Sequence, residues 1–294
     1  FRASIGYNNS QGLVKTSDYE RLSYSLKLTP KFLNDNLKVD INAKGTLTDK
    51  NAIDEGGAIG GAINMDPTKP VYDATSNKFG GYYQNTILNG NFNKLEGSSN
   101  PLAVLEQRSR PERVLRFLGN AEFEYKAHFL PELRAIVNFG LDATTSRILE
   151  KYTNNAVATY QFDQNNSNPN TNYLFNPGVN YAENQTVTNS SMNSYLAYTK
   201  ALNGFITRVD AQAGYEYQNF KIDGNKDLYR YNVSSGLRES YVDNVANATN
   251  RYFSPTNSQS FFGRVNFDIL NKYMFTATMR ADATSYFKEE NRWG

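Results

Sequence analysis

The chain has 294 residues, a net charge of +2, no cysteine and a single histidine, His128. These counts exclude a disulfide framework, a thiolate metal site and any site built on two imidazoles, and the balanced charge carries no nucleic-acid footprint. Aromatic content is high, with 21 Tyr and 18 Phe, while mean hydropathy is −0.63, so a β-barrel with a wet lumen and polar loops fits, as does a soluble β-protein.

Alternation begins at once. Phe1, Ala3, Ile5 and Tyr7 oppose Arg2, Ser4, Gly6 and Asn8, predicting a strand over Phe1 to Asn9 and marking the chain as a piece of something larger. After a loop from Ser10 to Asp18, the segment Tyr19 to Thr48 reads as one long hairpin. Leu22, Tyr24, Leu26 and Leu28 face one way on its first arm, and a polar turn, Thr29 to Asn36, reverses it. On the second arm Leu37, Val39, Ile41, Ala43, Gly45 and Leu47 alternate with Lys38, Asp40, Asn42, Lys44, Thr46 and Thr48. Each arm keeps its period for roughly ten residues, which at about 3.3 Å each and about 45° of tilt cross about 25 Å, the apolar height of an outer-membrane barrel.

A long irregular stretch, Asn51 to Pro111, is rich in Gly, Asn, Ser and Pro. Strand four then carries Leu115, Phe117, Ala121, Phe123 and Tyr125 against Arg116, Glu122, Glu124 and Lys126. A reversal at Ala127 to Glu132 leads to strand five, with Leu133, Ala135, Val137, Phe139 and Leu141 on one face. A polar loop from Tyr152 to Asn184 follows, almost wholly Asn, Ser, Pro and Thr over Asn165 to Asn172. Strand six ends near Tyr198 and turns at Ala201 to Gly204. Strand seven sets Val209, Ala211, Ala213, Tyr215 and Tyr217 against Arg208, Asp210, Gln212 and Glu216. After a third long loop, Lys221 to Asn257, strand eight (Phe261, Val265, Phe267, Ile269 against Arg264, Asn266, Asp268) turns at Leu270 to Lys272. Strand nine sets Tyr273, Phe275, Ala277 and Met279 against Thr276, Thr278, Arg280 and Asp282.

Short turns and long loops alternate strictly. In an antiparallel meander this puts every tight turn at one rim and every long loop at the other, the build of outer-membrane barrels. The predicted fold is therefore all-β: an antiparallel transmembrane β-barrel segment of about nine strands. An open arc leaves two edges that lipid cannot satisfy, so a larger barrel is expected. The apolar face meets outer-membrane lipid, with Tyr125, Phe139 and Tyr273 in an interface girdle. Asp40, Lys44, Arg116, Glu122, Glu124, Arg208, Asp210, Glu216, Arg264, Asp268, Arg280 and Asp282 face the lumen.

Several stretches together resemble the SusC/RagA-like branch of TonB-dependent outer-membrane transporters. They are Arg2 to Tyr7 with Gln11-Gly12, Leu37 to Gly45, Met65-Asp66-Pro67-Thr68-Lys69-Pro70-Val71-Tyr72, Asn100-Pro101-Leu102-Ala103, Phe262 to Phe267, Tyr273 to Phe287, and Asn291-Arg292-Trp293-Gly294. The resemblance implies a barrel of about 22 strands, an N-terminal plug, and a TonB-contacting segment reached from the periplasm. It also implies a SusD-like surface lipoprotein over the mouth, and import of oligosaccharides or peptides in the bacterial outer membrane. On that reading residues 1–294 are part of one barrel domain. Plug and TonB box are expected elsewhere, and TonB is reached through them.

Other motifs point to plainer readings. Gly56 to Gly61 lacks the Gly-Lys-Ser/Thr ending of a phosphate loop. Asp223 to Asp227 imitates the start of a calcium loop, but Leu228 stands where Gly is required and Ser234 where Glu is, so a turn is expected. The Asn-x-Ser/Thr triplets at Asn184 and Asn247 reflect Asn-rich loops. His128 has no serine or cysteine beside it, and the scattered acidic residues alternate with apolar neighbours as on a wetted wall, so no catalytic residue, metal or cofactor is expected. Tyr72, Phe79, Tyr82 and Tyr83 in the first long loop are the candidate ligand-binding residues, because exposed rings stack on sugars while Asn and Gln meet hydroxyls. The same rings could instead pack the loop against itself. The rival functions are a non-transporting surface β-protein that binds carbohydrate, and a hydrolase.

Overall fold

The computed structural model describes residues 1–75, 78–89, 92–162, 173–174, 177–232, 235–242 and 249–294. Nine long strands run in chain order as one antiparallel meander: β1 (Arg2–Gln11), β2 (Asp18–Leu28), β3 (Leu37–Asn51), β4 (Pro111–Lys126), β5 (Leu133–Tyr152), β6 (Gly178–Ala201), β7 (Ile206–Asn232), β8 (Arg251–Ile269) and β9 (Tyr273–Thr284). The sheet is open, with β1 and β9 at its edges. Turns 29–36, 127–132, 202–205 and 270–272 lie at one rim, and the strand ends joined by the longer connections, β1 to β2, β3 to β4, β5 to β6 and β7 to β8, lie at the other. At the shortest turn Leu270 and Asn271 both take positive φ, 53° and 52°, and the Lys272 amide closes it on the Ile269 carbonyl at 3.0 Å.

Directly paired residues share a face, so the register carries each face across the sheet. One row reads Lys27, Asn42, Asn120, Gly140, Ser191, Gln218, Ser258 and Thr284. A row on the opposite face reads Val39, Phe123, Val137, Ser194, Tyr215, Phe261 and Ala281. Leu26, Phe117 and Phe139 remain exposed on this second face, while Val39 is buried within it. The apolar band has a sharp upper edge. Leu47 opposite Leu115 is its last pair on β3 and β4, and one step higher Asp49 holds Arg113 at 2.7 Å. On β4 the band runs from Leu115 to Tyr125, about 25 Å of height at the usual rise and tilt.

The strands outrun the band. β5, β6 and β7 have 20, 24 and 27 residues, so their upper parts stand above it as a two-sided polar wall. This corrects three expectations. Asp223 to Asp227 is extended strand inside β7, not a turn, and Asp223 takes Arg251 from β8 at 3.3 Å. Asn184 lies in β6 between Arg147 and Asn225 instead of in a loop. The loops expected over Tyr152 to Asn184 and Lys221 to Asn257 are correspondingly shorter. The reason is the same in each case: where both faces are polar, alternation carries no signal. Ser234, Asn247 and the Asn165 to Asn172 run lie outside the described residues.

Loop 52–110 is likewise not irregular. It holds two helices, α1 (Glu55–Asn64) and α2 (Pro101–Glu106), and its Phe79 and Ala103 pack with Val157 of the 153–160 segment into a hydrophobic cluster above the barrel wall.

Candidate functional site

Two surfaces carry the chemistry: a knot of loops at the long-loop rim, and the polar face of the sheet beneath it.

The knot is organised by buried amides. Asn100, 1% exposed, caps α2 by accepting from the amides of Leu102 (3.1 Å) and Ala103 (3.2 Å), and Pro101 fills the first helical position, where its missing N–H costs nothing. The Asn100 side-chain NH2 donates to the carbonyls of Val71 (2.8 Å) and Tyr83 (2.9 Å), while its backbone N–H donates to Gln84 Oε1 (3.0 Å). One side chain thereby joins the segments around Val71, Tyr83 and α2. Helix α1 is capped by Asp54, which accepts from the Gly57 amide at 2.9 Å. Gly61 lets it lie against α2: a Cβ there would sit 2.6 Å from the Ser99 carbonyl. Asp66 closes the turn after α1 by accepting from the Thr68 amide and hydroxyl, and these bonds hold its carboxyl below the usual range.

Two neighbouring loops are stitched in. Gln107 Nε2 donates to the Phe79 carbonyl (2.8 Å) and its Oε1 accepts from the Val157 amide (2.8 Å), tying loop 52–110 to the 153–160 segment. From the β1–β2 loop, Thr16 donates to the Leu105 carbonyl at 3.2 Å and Lys15 meets Glu106. Tyr82 donates to the other oxygen of Glu106. The bonds from Lys15 and Tyr82 hold the Glu106 carboxyl below the usual range, and desolvation followed by that carboxylate pushes the Tyr82 phenol up.

The four candidate aromatics divide. Phe79, 6% exposed, is sealed in the core with its ring edge-on to Tyr160 at 5.0 Å, and it holds a left-handed backbone (φ 58°) that only such packing maintains in a bulky residue. Tyr82 is half-buried against Glu106, and Tyr83 is half-buried with its hydroxyl on Asn85 (2.8 Å). Tyr72, 57% exposed, presents a ring to solvent, 5.2 Å from that of Tyr82.

On the sheet, the register places all twelve candidate wall residues on one face. Their charges largely neutralise one another: Arg116 forks onto Asp142 (2.8 and 2.6 Å), Arg134 and Lys38 flank Glu124, Arg208 holds Asp210, and Arg280 joins Glu216 to Asp282. Asp40 lies directly opposite Glu122, yet Lys27 and Asn42 serve the first and Asn138 the second, so each carboxylate has its own donors. Among the described residues His128 meets the Tyr125 hydroxyl (2.9 Å) and the ring of Phe129. No pattern in the residues pointed to Glu183, buried on the polar face under the hydroxyls of Tyr181 and Tyr252 (2.5 Å to the latter). Nor did it single out Gln107. Asn100 was visible only as part of a motif, although Asn followed by Pro is a helix-start signature.

Strands longer than a bilayer core, sorted by face and with every long loop at one rim, define a segment of outer-membrane β-barrel wall. No family model matches the sequence. The chain is 34% identical over 308 residues to the TonB-dependent receptor SusC of Bacteroides thetaiotaomicron, across 100% of this chain and 28% of that protein. It is 27% identical over 302 residues to the TonB-dependent receptor P26 of Formosa agariphila, across 100% of this chain and 27% of that one. Among solved structures, the RagAB peptide importer in its open-open state superposes with a TM-score of 0.70 at 19% identity, covering 99% of this chain and 30% of the other. Its closed-closed state gives 0.68 at 18%. Along its whole length the chain is thus similar to SusC in sequence and to the RagAB importer in fold, an outer-membrane β-barrel segment related to TonB-dependent receptors. It spans between a quarter and a third of the proteins it matches.

Proposed function

We propose that the chain is a stretch of barrel wall, with its extracellular loops, from a TonB-dependent outer-membrane importer that takes up oligosaccharides or peptides with a SusD-like surface lipoprotein. One observation carries this reading: the register that collects twelve charged residues on one face while the other bears an apolar band one bilayer tall. The charged face then lines the lumen, and its paired charges give a wetted wall that cargo passes without being trapped. The loop knot stands at the extracellular mouth, where Tyr72 offers a ring to an arriving ligand. Coupling to TonB and the plug belong to the rest of the barrel protein. The relatives support the class, one being a receptor named SusC and the other a peptide importer.

The test uses the full-length protein in its own outer membrane. Single cysteines replace Val137 and Asn138, sequence neighbours on opposite faces. A membrane-impermeant maleimide is expected to reach Asn138→Cys and to spare Val137→Cys until detergent is added. Loss of the protein is expected to abolish growth on its oligosaccharide or peptide, and its purification to bring down a lipoprotein. Aqueous labelling of Val137→Cys, or growth unchanged by the loss, overturns the proposal.

A further inference from the structure

The polar face contains a recess that the neutralised wall does not explain. Gly140 leaves a gap in the row Asn120, Gly140, Ser191, and one step higher the row Lys44, Leu118, Asp142, Asn189 closes it. The resulting cavity is about 430 Å³. Asp142 is occupied by Arg116. Among the described residues, Asp40, Glu124, Asp142, Asp210, Glu216 and Asp282 each hold a Lys or Arg on this face, whereas Lys44 beside the recess holds no carboxylate. Arg264 is likewise without a carboxylate but donates to Asn266 (3.3 Å). The recess therefore combines an unmatched ammonium, two carboxamides and a hydroxyl around the exposed Leu118.

We propose that this recess is a carboxylate-binding station on the wall, with Lys44 supplying the charge and Asn120, Asn189 and Ser191 the neutral donors. It rests on the reading of the polar face as the lumen. An ammonium facing a half-enclosed surface gains most from an ionised acceptor, because a charge-assisted hydrogen bond is about twice as strong as a neutral one. Asp142, the acidic residue lining the recess, already holds Arg116, so an arriving carboxylate meets Lys44 without a competitor there. Leu118 alongside suits the carbon skeleton that carries the acid. The carboxylate has two sources: an acidic group on the cargo, or an acidic side chain of the same protein reaching into the lumen.

The experiment uses full-length protein, wild type and Lys44→Gln, Lys44→Arg and Gly140→Ala. In the last, the new Cβ would come 2.4 Å from Ser191 Oγ and fill the gap without touching the charge. Binding is measured for two probe pairs: a capped Ala-Ala-Glu-Ala-Ala peptide against its Gln counterpart, and tri-galacturonate against its methyl ester. For a cargo carboxylate, Lys44→Gln and Gly140→Ala are each expected to weaken one acidic probe about fivefold and leave its neutral partner unchanged, while the charge-conserving Lys44→Arg keeps wild-type binding. For an internal carboxylate, carbodiimide treatment is expected to join Lys44 to an acidic residue of the same protein, read by mass spectrometry, with no probe discriminated. Absence of both probe discrimination and cross-link overturns the station. Silence of Asn138→Cys towards aqueous maleimide instead overturns the lumen reading beneath it, so the two failures are distinguishable.

Discussion

The knot at the long-loop rim makes a quantitative demand on Asn100. Replacing it with Ala removes the α2 cap, worth about 1 kcal/mol, and strips the donors from two carbonyls, Val71 and Tyr83, each worth about 1–3 kcal/mol if it stays dry. Water entering the opened site recovers part of this, leaving about 3–5 kcal/mol by the same scale. That loss falls on the knot and not on the sheet, since no barrel strand takes a bond from this side chain. Hydrogen exchange on the full-length protein is the assay. Amides over 98–107 are expected to lose at least about a hundredfold in protection, at 1.4 kcal/mol per tenfold, while β3 and β4 amides keep theirs. Asn100→Asp separates the two roles. It retains the cap acceptor but turns a carboxylate towards two carbonyls, so the Val71 and Tyr83 segments should loosen while α2 amides stay protected. A loss below tenfold in the Ala variant, or an equal loss in β3 and β4, would refute the assignment of Asn100 as the hub.

Three further outcomes are expected. Because Lys15 and Tyr82 depress the Glu106 carboxyl below its ordinary 4.5, the tie between loops 12–17 and 52–110 is complete above that pH and is lost as pH falls through the depressed folded value. Exchange at Gly12 and Ser17, corrected for intrinsic rates, should accelerate there in the wild type and lose its pH dependence in Glu106→Gln. At Gly45 a Cβ would lie 2.1 Å from the Tyr24 ring that covers it, so Gly45→Ala should cost about 1 kcal/mol, the scale of a cross-strand aromatic contact. Its effect should be non-additive with Tyr24→Ala in a denaturation double-mutant cycle. On the lipid face, Val137→Arg should cost about 2–4 kcal/mol and lower the yield of heat-modifiable barrel in the outer membrane, whereas Asn138→Arg on the wet face should assemble normally; equal yields would contradict the face assignment.

What could be read from the residues follows the solvent contrast across the sheet. Where lipid faced one side and water the other, as from Leu22 to Leu47 or Leu115 to Tyr125, the period of two was unambiguous and the register now matches it residue for residue. Once the upper halves of β6 and β7 rise above the apolar band, water meets both faces, and Asp223 to Asp227 and Asn184 have no reason to alternate. The strand persists there through its ladder to β8 and β5, a partner effect that no local pattern announces. The loop knot was obscure for a different reason. Its order comes from single amides joining positions far apart in sequence, Asn100 to Val71 and Gln107 to Val157, and composition alone made those positions look like any polar loop. Yet the two loop motifs among those that carried the family resemblance, Met65 to Tyr72 and Asn100 to Ala103, are two of the three segments that the Asn100 side chain binds together. Two of the stretches behind the likeness therefore meet at one tertiary contact, seen in sequence as separate fragments. It follows that Phe79, chosen for its aromatic ring, belongs with the scaffold that this contact builds. Tyr72, whose ring stays exposed on the outer surface of that scaffold, is the one of the four left open to the proposed ligand.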